Sequence, residues 1–287
     1  ESLLDNLVML DGVSRVVDQS PLGSAASYGV NLNIDEIVDF IRRQDGKPVG
    51  EAIEAAKKEA DLAIKGDAEI RRVRDSIIDR MEQAAEETGL IVPMGYWVIA
   101  RACHDLAQMK KRNMAPVHVA VNMSFRQFQD SALLSTVKRL LERTGIDPHW
   151  LEFELTETAV MQQPEQVLMT MDGMTGLGLR FSLDDFGTGL SSFGYLKHFP
   201  VDFLKIDCSF VKEILHDPID REMVSSVNEI GHLTGKRTIA EFAENDEIIT
   251  MLRGMGVDYA QGYGVSEPRR VTETSSWTPV VVEPDGD

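Results

Sequence analysis

The chain has 287 residues and carries 47 acidic against 29 basic side chains, a formal net charge of -18. That length holds one large barrel plus an extension, and that charge argues against a DNA or RNA surface and against docking on an anionic membrane. No run is long and apolar enough to span a bilayer, no secretory signal is legible, and Cys103 and Cys208 lie in unrelated segments without metal spacing, which fits a reducing cytoplasm.

Helical signals dominate the first eighty residues, over 3–17 and again over 53–87 with a break near Gly66-Asp67. Ile70, Val73, Ile77, Met81 and Ala84 recur at three-and-four spacing, a stripe short enough to read as core packing and not as a coiled-coil seam. The expectation is a mostly helical extension over 1–79. Within it, Ser20-Pro-Leu-Gly-Ser-Ala-Ala-Ser-Tyr-Gly-Val-Asn-Leu-Asn-Ile-Asp35 is similar to a segment of argininosuccinate lyases. That likeness covers only about the first 35 residues, so it implies no lyase activity. The chain opens on Glu1 and not on Met, which fits upstream sensory or membrane segments lying outside it.

From about residue 115 the chain alternates short apolar runs with amphipathic stretches such as 132–143 and 221–234. Val117-His-Val-Ala-Val121 ends in Asn122, and Leu151-Glu-Phe153 runs into Glu154-Leu-Thr-Glu157. Leu179-Arg-Phe-Ser-Leu183 ends in Asp184-Asp185, and Phe203-Leu-Lys-Ile206 carries Lys205 and ends at Asp207. Arg237-Thr-Ile-Ala240 ends at Glu241 and Glu244, and Tyr259-Ala-Gln-Gly262 carries Gln261. Strands alternating with helices predict an α/β fold with a parallel sheet and right-handed crossovers, a TIM-like (β/α) barrel over 80–270. An eight-stranded barrel needs two strands beyond these six, and 28–34 and 47–53 are weak suppliers, so the barrel is expected to be incomplete, with open edges that invite association such as a homodimer. His118 alternates into the first run and is expected as a satisfied barrel residue. The Thr/Ser-rich, acidic tail over 271–287 reads as disordered.

Functional groups of such barrels gather at the C-terminal strand ends. Glu154, Asp184, Asp185 and Glu241 with the amide oxygen of Asn122 form an all-oxygen, anionic set. This suits hard cations such as Mg²⁺ or Mn²⁺ and argues against zinc. Adjacent carboxylates at Asp184-Asp185 need a cation beside them if both are to stay ionised. Paired cations there would activate water against a phosphodiester, with Lys205 holding that water or neutralising the phosphate. Asp207 reads as an ordinary loop residue. A barrel glycosidase using Glu154 and Glu241 as acid and base is the alternative from another class. Gly187-Thr-Gly189 lacks the lysine of a phosphate-binding P-loop.

Seven motifs in order resemble the EAL-domain family, the bacterial phosphodiesterases and receptors for cyclic di-GMP. They are Ala85-Glu-Glu-Thr-Gly-Leu-Ile91, Val121-Asn-Met-Ser124, Glu154-Leu-Thr-Glu157, Asp184-Asp-Phe-Gly-Thr-Gly189, Leu204-Lys-Ile-Asp207, Ala240-Glu-Phe-Ala-Glu244 and Gln261-Gly-Tyr263. The resemblance implies hydrolysis of cyclic di-GMP to the linear dinucleotide, with one or two Mg²⁺ or Mn²⁺ ions held by Asn122, Glu154, Asp184, Asp185 and Glu241. It implies that Lys205 assists the water, that Glu157 ties down the loop over 187–196, and that Gln261 and Glu244 support the site. Gln261, Asp202 and Pro268 fall on the substrate side. Two departures stand out. The nearest counterpart of the family's Glu-Ala-Leu strand is Gly50-Glu-Ala-Ile53, with Glu51 as a further candidate ligand. It is followed by a helix-forming run without the family's phosphate-gripping Arg. Phe242-Ala243 stands where the family normally has Gly-Val. The expectation is a nearly complete metal site with weak substrate grip, or a catalytically degenerate receptor or interaction module on the same fold.

Overall fold

The computed structural model describes residues 86, 89, 91–112, 118–189 and 193–266. The expected helical extension over 1–79, the runs 28–34 and 47–53, Glu51, Pro268 and the tail over 271–287 lie outside the described residues. Helix α1 (Ile91–Lys111) leads into β1 (Val119–Asn122), α2 (Phe125–Phe128) and α3 (Leu133–Thr144). Strand β2 (Leu151–Thr156) is followed by α4 (Glu157–Gln162) and α5 (Pro164–Thr175), and β3 (Arg180–Phe186) by α6 (Phe193–Leu196). Strand β4 (Phe203–Ile206) precedes α7 (Cys208–Lys212) and α8 (Pro218–Leu233). The described part ends with β5 (Arg237–Ala240), α9 (Asp246–Gly254) and β6 (Tyr259–Ala260).

Side chains mark the helix starts. Thr156, Asp207, Asp217 and Asn245 each accept a backbone N–H from the first turn of α4, α7, α8 and α9, which satisfies donors the helix itself cannot. Pro164 and Pro218 occupy first-turn positions, where the missing N–H costs nothing.

The six strands are all parallel and pair in chain order, β1-β2-β3-β4-β5-β6, curling into a partial barrel. Among the described residues β1 and β6 each have one strand neighbour. Side chains alternate across a strand, so the register sorts them into two faces. Val121, Leu151, Phe153, Leu155, Phe181, Leu183, Leu204 and Ile206 form the apolar face and are buried with Ile99, Val137, Met171, Val224 and Val227 of the helices. Asn122, Glu152, Glu154, Ser182, Asp184, Lys205 and Glu241 fall on the concave face. Sandwiched between helices and barrel interior, β2 and β4 are buried on both faces, as parallel strands should be.

The N-terminal strand ends are tied by a separate polar set. Asp258 Oδ2 accepts from the Thr238 backbone N–H at 2.8 Å and from Thr238 Oγ1 at 3.1 Å, and lies 2.8 Å from His232 Nε2. The single Thr238 hydroxyl proton is shared with Asn228 Oδ1, the nearer acceptor at 2.5 Å. The buried Lys236 ammonium donates to the carbonyls of Phe199 and Val201 at 2.8 and 3.2 Å. His118, expected to alternate into the first strand as a satisfied barrel residue, lies outside that strand. It precedes β1, is exposed, and lies 3.2 Å from Arg180 through Nδ1.

Asp258→Ala strands the Thr238 backbone N–H in a buried setting and should destabilise the domain by about 1–3 kcal/mol. Urea unfolding followed by circular dichroism checks this, and an unchanged midpoint would contradict it.

Candidate functional site

Lys205 is wholly buried in the middle of the concave face. Its Nζ lies 2.8 Å from Glu241 Oε1, 3.0 Å from Asp184 Oδ1 and 3.3 Å from Glu154 Oε2, so β2, β3, β4 and β5 meet at one ammonium. Burial alone would drive the ammonium toward neutrality, but the Glu154, Asp184 and Glu241 carboxylates hold its pKa well above the usual lysine value. The carboxylates feel the opposite balance. Burial pushes Glu154 and Glu241 up to about 7; the Lys205 charge pulls them down, and Asp184 adds repulsion.

The acidic pair is aimed by local backbone geometry. The pairing of β3 with β4 shifts register between Leu183 and Phe186, an irregularity that re-aims side chains at a strand end. Asp185 sits at φ 53, in the left-handed region, and its N–H donates to Asp184 Oδ1 at 3.1 Å. Ligand oxygens of Asp184, Asp185 and Glu241 lie within 4.8 Å of one another. Burial first, then the neighbouring Asp184 and Asp207 carboxylates, push the Asp185 carboxyl up to about 6.

Behind this cluster, Glu157 opens α4 and is 4% exposed. Its Oε2 accepts from the Gly187 N–H at 3.0 Å. A Cβ on Gly189 would lie 2.3 Å from Glu157 Oε1, so any larger residue there would have to displace this buried carboxylate. Thr188 Oγ1 donates to the Asp185 carbonyl at 3.0 Å, tying the loop to the acidic pair.

The other sequence-derived residues fall in several places. Asn122 is exposed at the end of β1, opposite Glu154 in the register, and so stands on the same rim. Gln261 is buried just after β6, its N–H donating to the Ala240 carbonyl at 2.8 Å and its carbonyl accepting from Ala243 at 2.9 Å. Glu244 is exposed between β5 and α9. Asp202 is not brought to the rim. It precedes β4, its Oδ2 accepts from the Phe181 N–H at 3.0 Å, and about 3.3 Å per residue puts it roughly 13 Å from the far end of that strand.

Two carboxylates were missed. Asp207 is no ordinary loop residue: it is 8% exposed, caps α7 by accepting from the Ser209 N–H at 2.8 Å, and hydrogen-bonds Asp185. Its signal was the spacing of two from Lys205, which puts both on one strand face. Glu152 lies one step deeper than Glu154 on β2, is 6% exposed, and is pushed by burial up to about 7. The alternation in Leu151-Glu-Phe-Glu-Leu155 carried that information.

The donor set fits a hard divalent cation. Every ligand atom is oxygen, three carboxylates surround one internal cation, and the raised pKa values of Glu154, Glu241 and Asp185 mark a site short of positive charge. The glycosidase arrangement is disfavoured, because Glu154 is 1% exposed at its side chain and bound to the ammonium shared with Glu241.

Comparison with known proteins gives a consistent result. The profile described as EAL domain matches residues 71–268. The bifunctional diguanylate cyclase/cyclic di-GMP phosphodiesterase MucR of Pseudomonas aeruginosa is 35% identical over 184 residues, 64% of this chain and 27% of that protein. The cyclic di-GMP phosphodiesterase PdeR of Escherichia coli is 32% identical over 193 residues, 67% of this chain and 29% of that protein. Among solved structures, the PaMucR phosphodiesterase in complex with c-di-GMP superposes with a TM-score of 0.65 at 33% identity, covering 68% of this chain and 79% of that one. The FimX EAL domain from Pseudomonas aeruginosa bound to c-di-GMP gives 0.62 at 27% identity, covering 67% and 77%. The chain spans 23–28% of the length of the first curated relatives.

Because Glu154 and Glu241 titrate near 7 when folded and near 4.5 otherwise, the folded chain binds more protons in that window. Metal-free stability should therefore fall as pH rises through it. Thermal melts are expected to show a lower Tm at high pH than at low pH across this window. Mg²⁺ or Mn²⁺ should raise Tm more at the high-pH end, and equal rises at both ends would place the ion elsewhere.

Proposed function

This chain belongs to the EAL-domain family, and from that membership we propose that it hydrolyses cyclic di-GMP to the linear dinucleotide, with Mg²⁺ or Mn²⁺, in the bacterial cytoplasm. The observation that carries this reading is the buried Lys205 ammonium shared by Glu154, Asp184 and Glu241 at the C-terminal ends of parallel strands. Asn122, Glu154, Asp184, Asp185 and Glu241 are the residues that would hold one or two ions. A divalent ion bound there lowers the pKa of its water and offsets phosphate charge.

The protein's own groups supply the rest. Lys205 keeps its proton and fixes the orientation of three carboxylates, and in the proposed reaction its charge orients the attacking water and meets charge building on the phosphate. Glu157 holds the Gly187 N–H and with it the loop that carries the acidic pair. Asp207 steadies Asp185, and Gln261 and Glu244 flank Glu241 from the loop and strand beyond β5. This function resides in the barrel over 80–270. The altered sequence around Glu51 and the absent Arg after it weaken the grip on substrate and slow turnover.

A second reading, binding without turnover as a receptor or interaction module, is favoured by that same region, where Glu54-Ala-Ala-Lys-Lys-Glu59 replaces the phosphate-gripping pattern. Product analysis of cyclic di-GMP incubated with the protein and Mn²⁺, beside a binding titration in Ca²⁺, separates them. Linear product supports the enzyme, and binding without product supports the receptor.

In the active protein, Asp184→Asn should abolish metal-dependent turnover, and turnover at the original rate would remove the ion site from the mechanism. Lys205→Ala should lower kcat by roughly 10²–10⁴-fold while weakening binding far less. Equal losses in the two would contradict a role on the water.

A further inference from the structure

Phe242 directly follows Glu241 and has φ 60, a backbone conformation that an aromatic L-residue rarely adopts. The chain on either side cannot relax it. The Glu241 N–H donates to the Ile206 carbonyl at 3.3 Å, the Ala243 N–H to the Gln261 carbonyl at 2.9 Å, and the Gly264 N–H to the Ala243 carbonyl at 2.8 Å. The turn is set by its neighbours, and glycine, which the EAL pattern normally has here, would fill it without strain. A bulky ring kept at such a position points to a use for the ring.

The ring's surroundings suggest that use. Phe242 is half-buried, and the exposed Lys212 at the end of α7 holds its Nζ 4.2 Å from the ring centroid, a cation–π contact. The same Nζ donates to Cys208 Sγ at 3.4 Å, beside Asp207. An aromatic face and an ammonium therefore stand together at the rim next to Glu241.

We propose that Phe242 and Lys212 form a nucleotide-contact subsite at this rim, the ring face taking a guanine base and the ammonium its carbonyl or the adjoining phosphate. This rests on cyclic di-GMP being the ligand. Stacking on Phe242 takes the face that the ammonium covers in the free protein, and Lys212 turns to the ligand.

The test is a titration of cyclic di-GMP in Ca²⁺ with the wild-type chain, Phe242→Gly, Phe242→Tyr and Lys212→Gln, with thermal melts of each. Phe242→Gly relieves the strained φ, so its Tm should match or exceed wild type while its Kd rises roughly five- to a hundredfold. Phe242→Tyr should retain affinity, and Lys212→Gln should lose about two- to fivefold. With Mn²⁺, the Phe242→Gly loss should appear in KM and not in kcat. Equal or tighter binding by Phe242→Gly overturns the subsite alone, as does an equal loss in Phe242→Tyr or a fall confined to kcat, which would mean a displaced Glu241. A wild-type chain that binds no cyclic di-GMP overturns the proposed function, and the subsite with it.

Discussion

A lysine ammonium with no access to solvent must be surrounded by opposite charge, and that requirement organises the middle of this molecule. Taking one charge out of water costs several kcal/mol, and the cost is met only where partners are close and correctly placed. Lys205 has three such partners, each from a different strand. Without it those carboxylates would have to take up protons or a cation to be buried so close together. The register of four strands is therefore coupled to one interaction, since slipping any strand by one residue would turn its charged side chain onto the apolar face among Phe153, Phe181 and Leu204.

The two ends of the sheet are built for different tasks. At the N-terminal ends, Asp202, Asp258 and Lys236 each satisfy backbone or side-chain groups of neighbouring elements. Their hydrogen bonds tie neighbouring elements together. At the C-terminal ends, the acidic groups repel one another, their pKa values are raised, and a register shift and a left-handed residue re-aim the pair Asp184-Asp185. One end stabilises, and the other holds a charge imbalance that a cation relieves.

Much of this was legible in the sequence for a definite reason. Each strand is a short apolar run closed by a polar residue, so the six strands and the rim residues Asn122, Glu154, Asp184 and Glu241 followed from one pattern. Asp202 and Asp207 show where that pattern fails. Both are acids flanking β4, and an acid at a strand's start cannot be told from one at its end without knowing which face and which rim it serves. Asp207 also doubles as a helix cap, the ordinary explanation for an Asp at that place. His118 was misread because alternation alone does not say where a strand begins. The backbone features were invisible beforehand: the left-handed Asp185 and Phe242 depend on neighbouring strands, and glycine is the usual marker of such positions.

The unbroken strand order has a bearing on how the chain folds during synthesis. Each strand pairs with those nearest in sequence, so the sheet can grow from β1 onward as residues leave the ribosome. Glu154 and Asp184 arrive first and confront each other without a counter-ion. An early β1-β2-β3 fragment thus carries unneutralised repulsion at its core until β4 delivers Lys205. Docking of β4 is the step that brings the Lys205 counter-charge to Glu154 and Asp184.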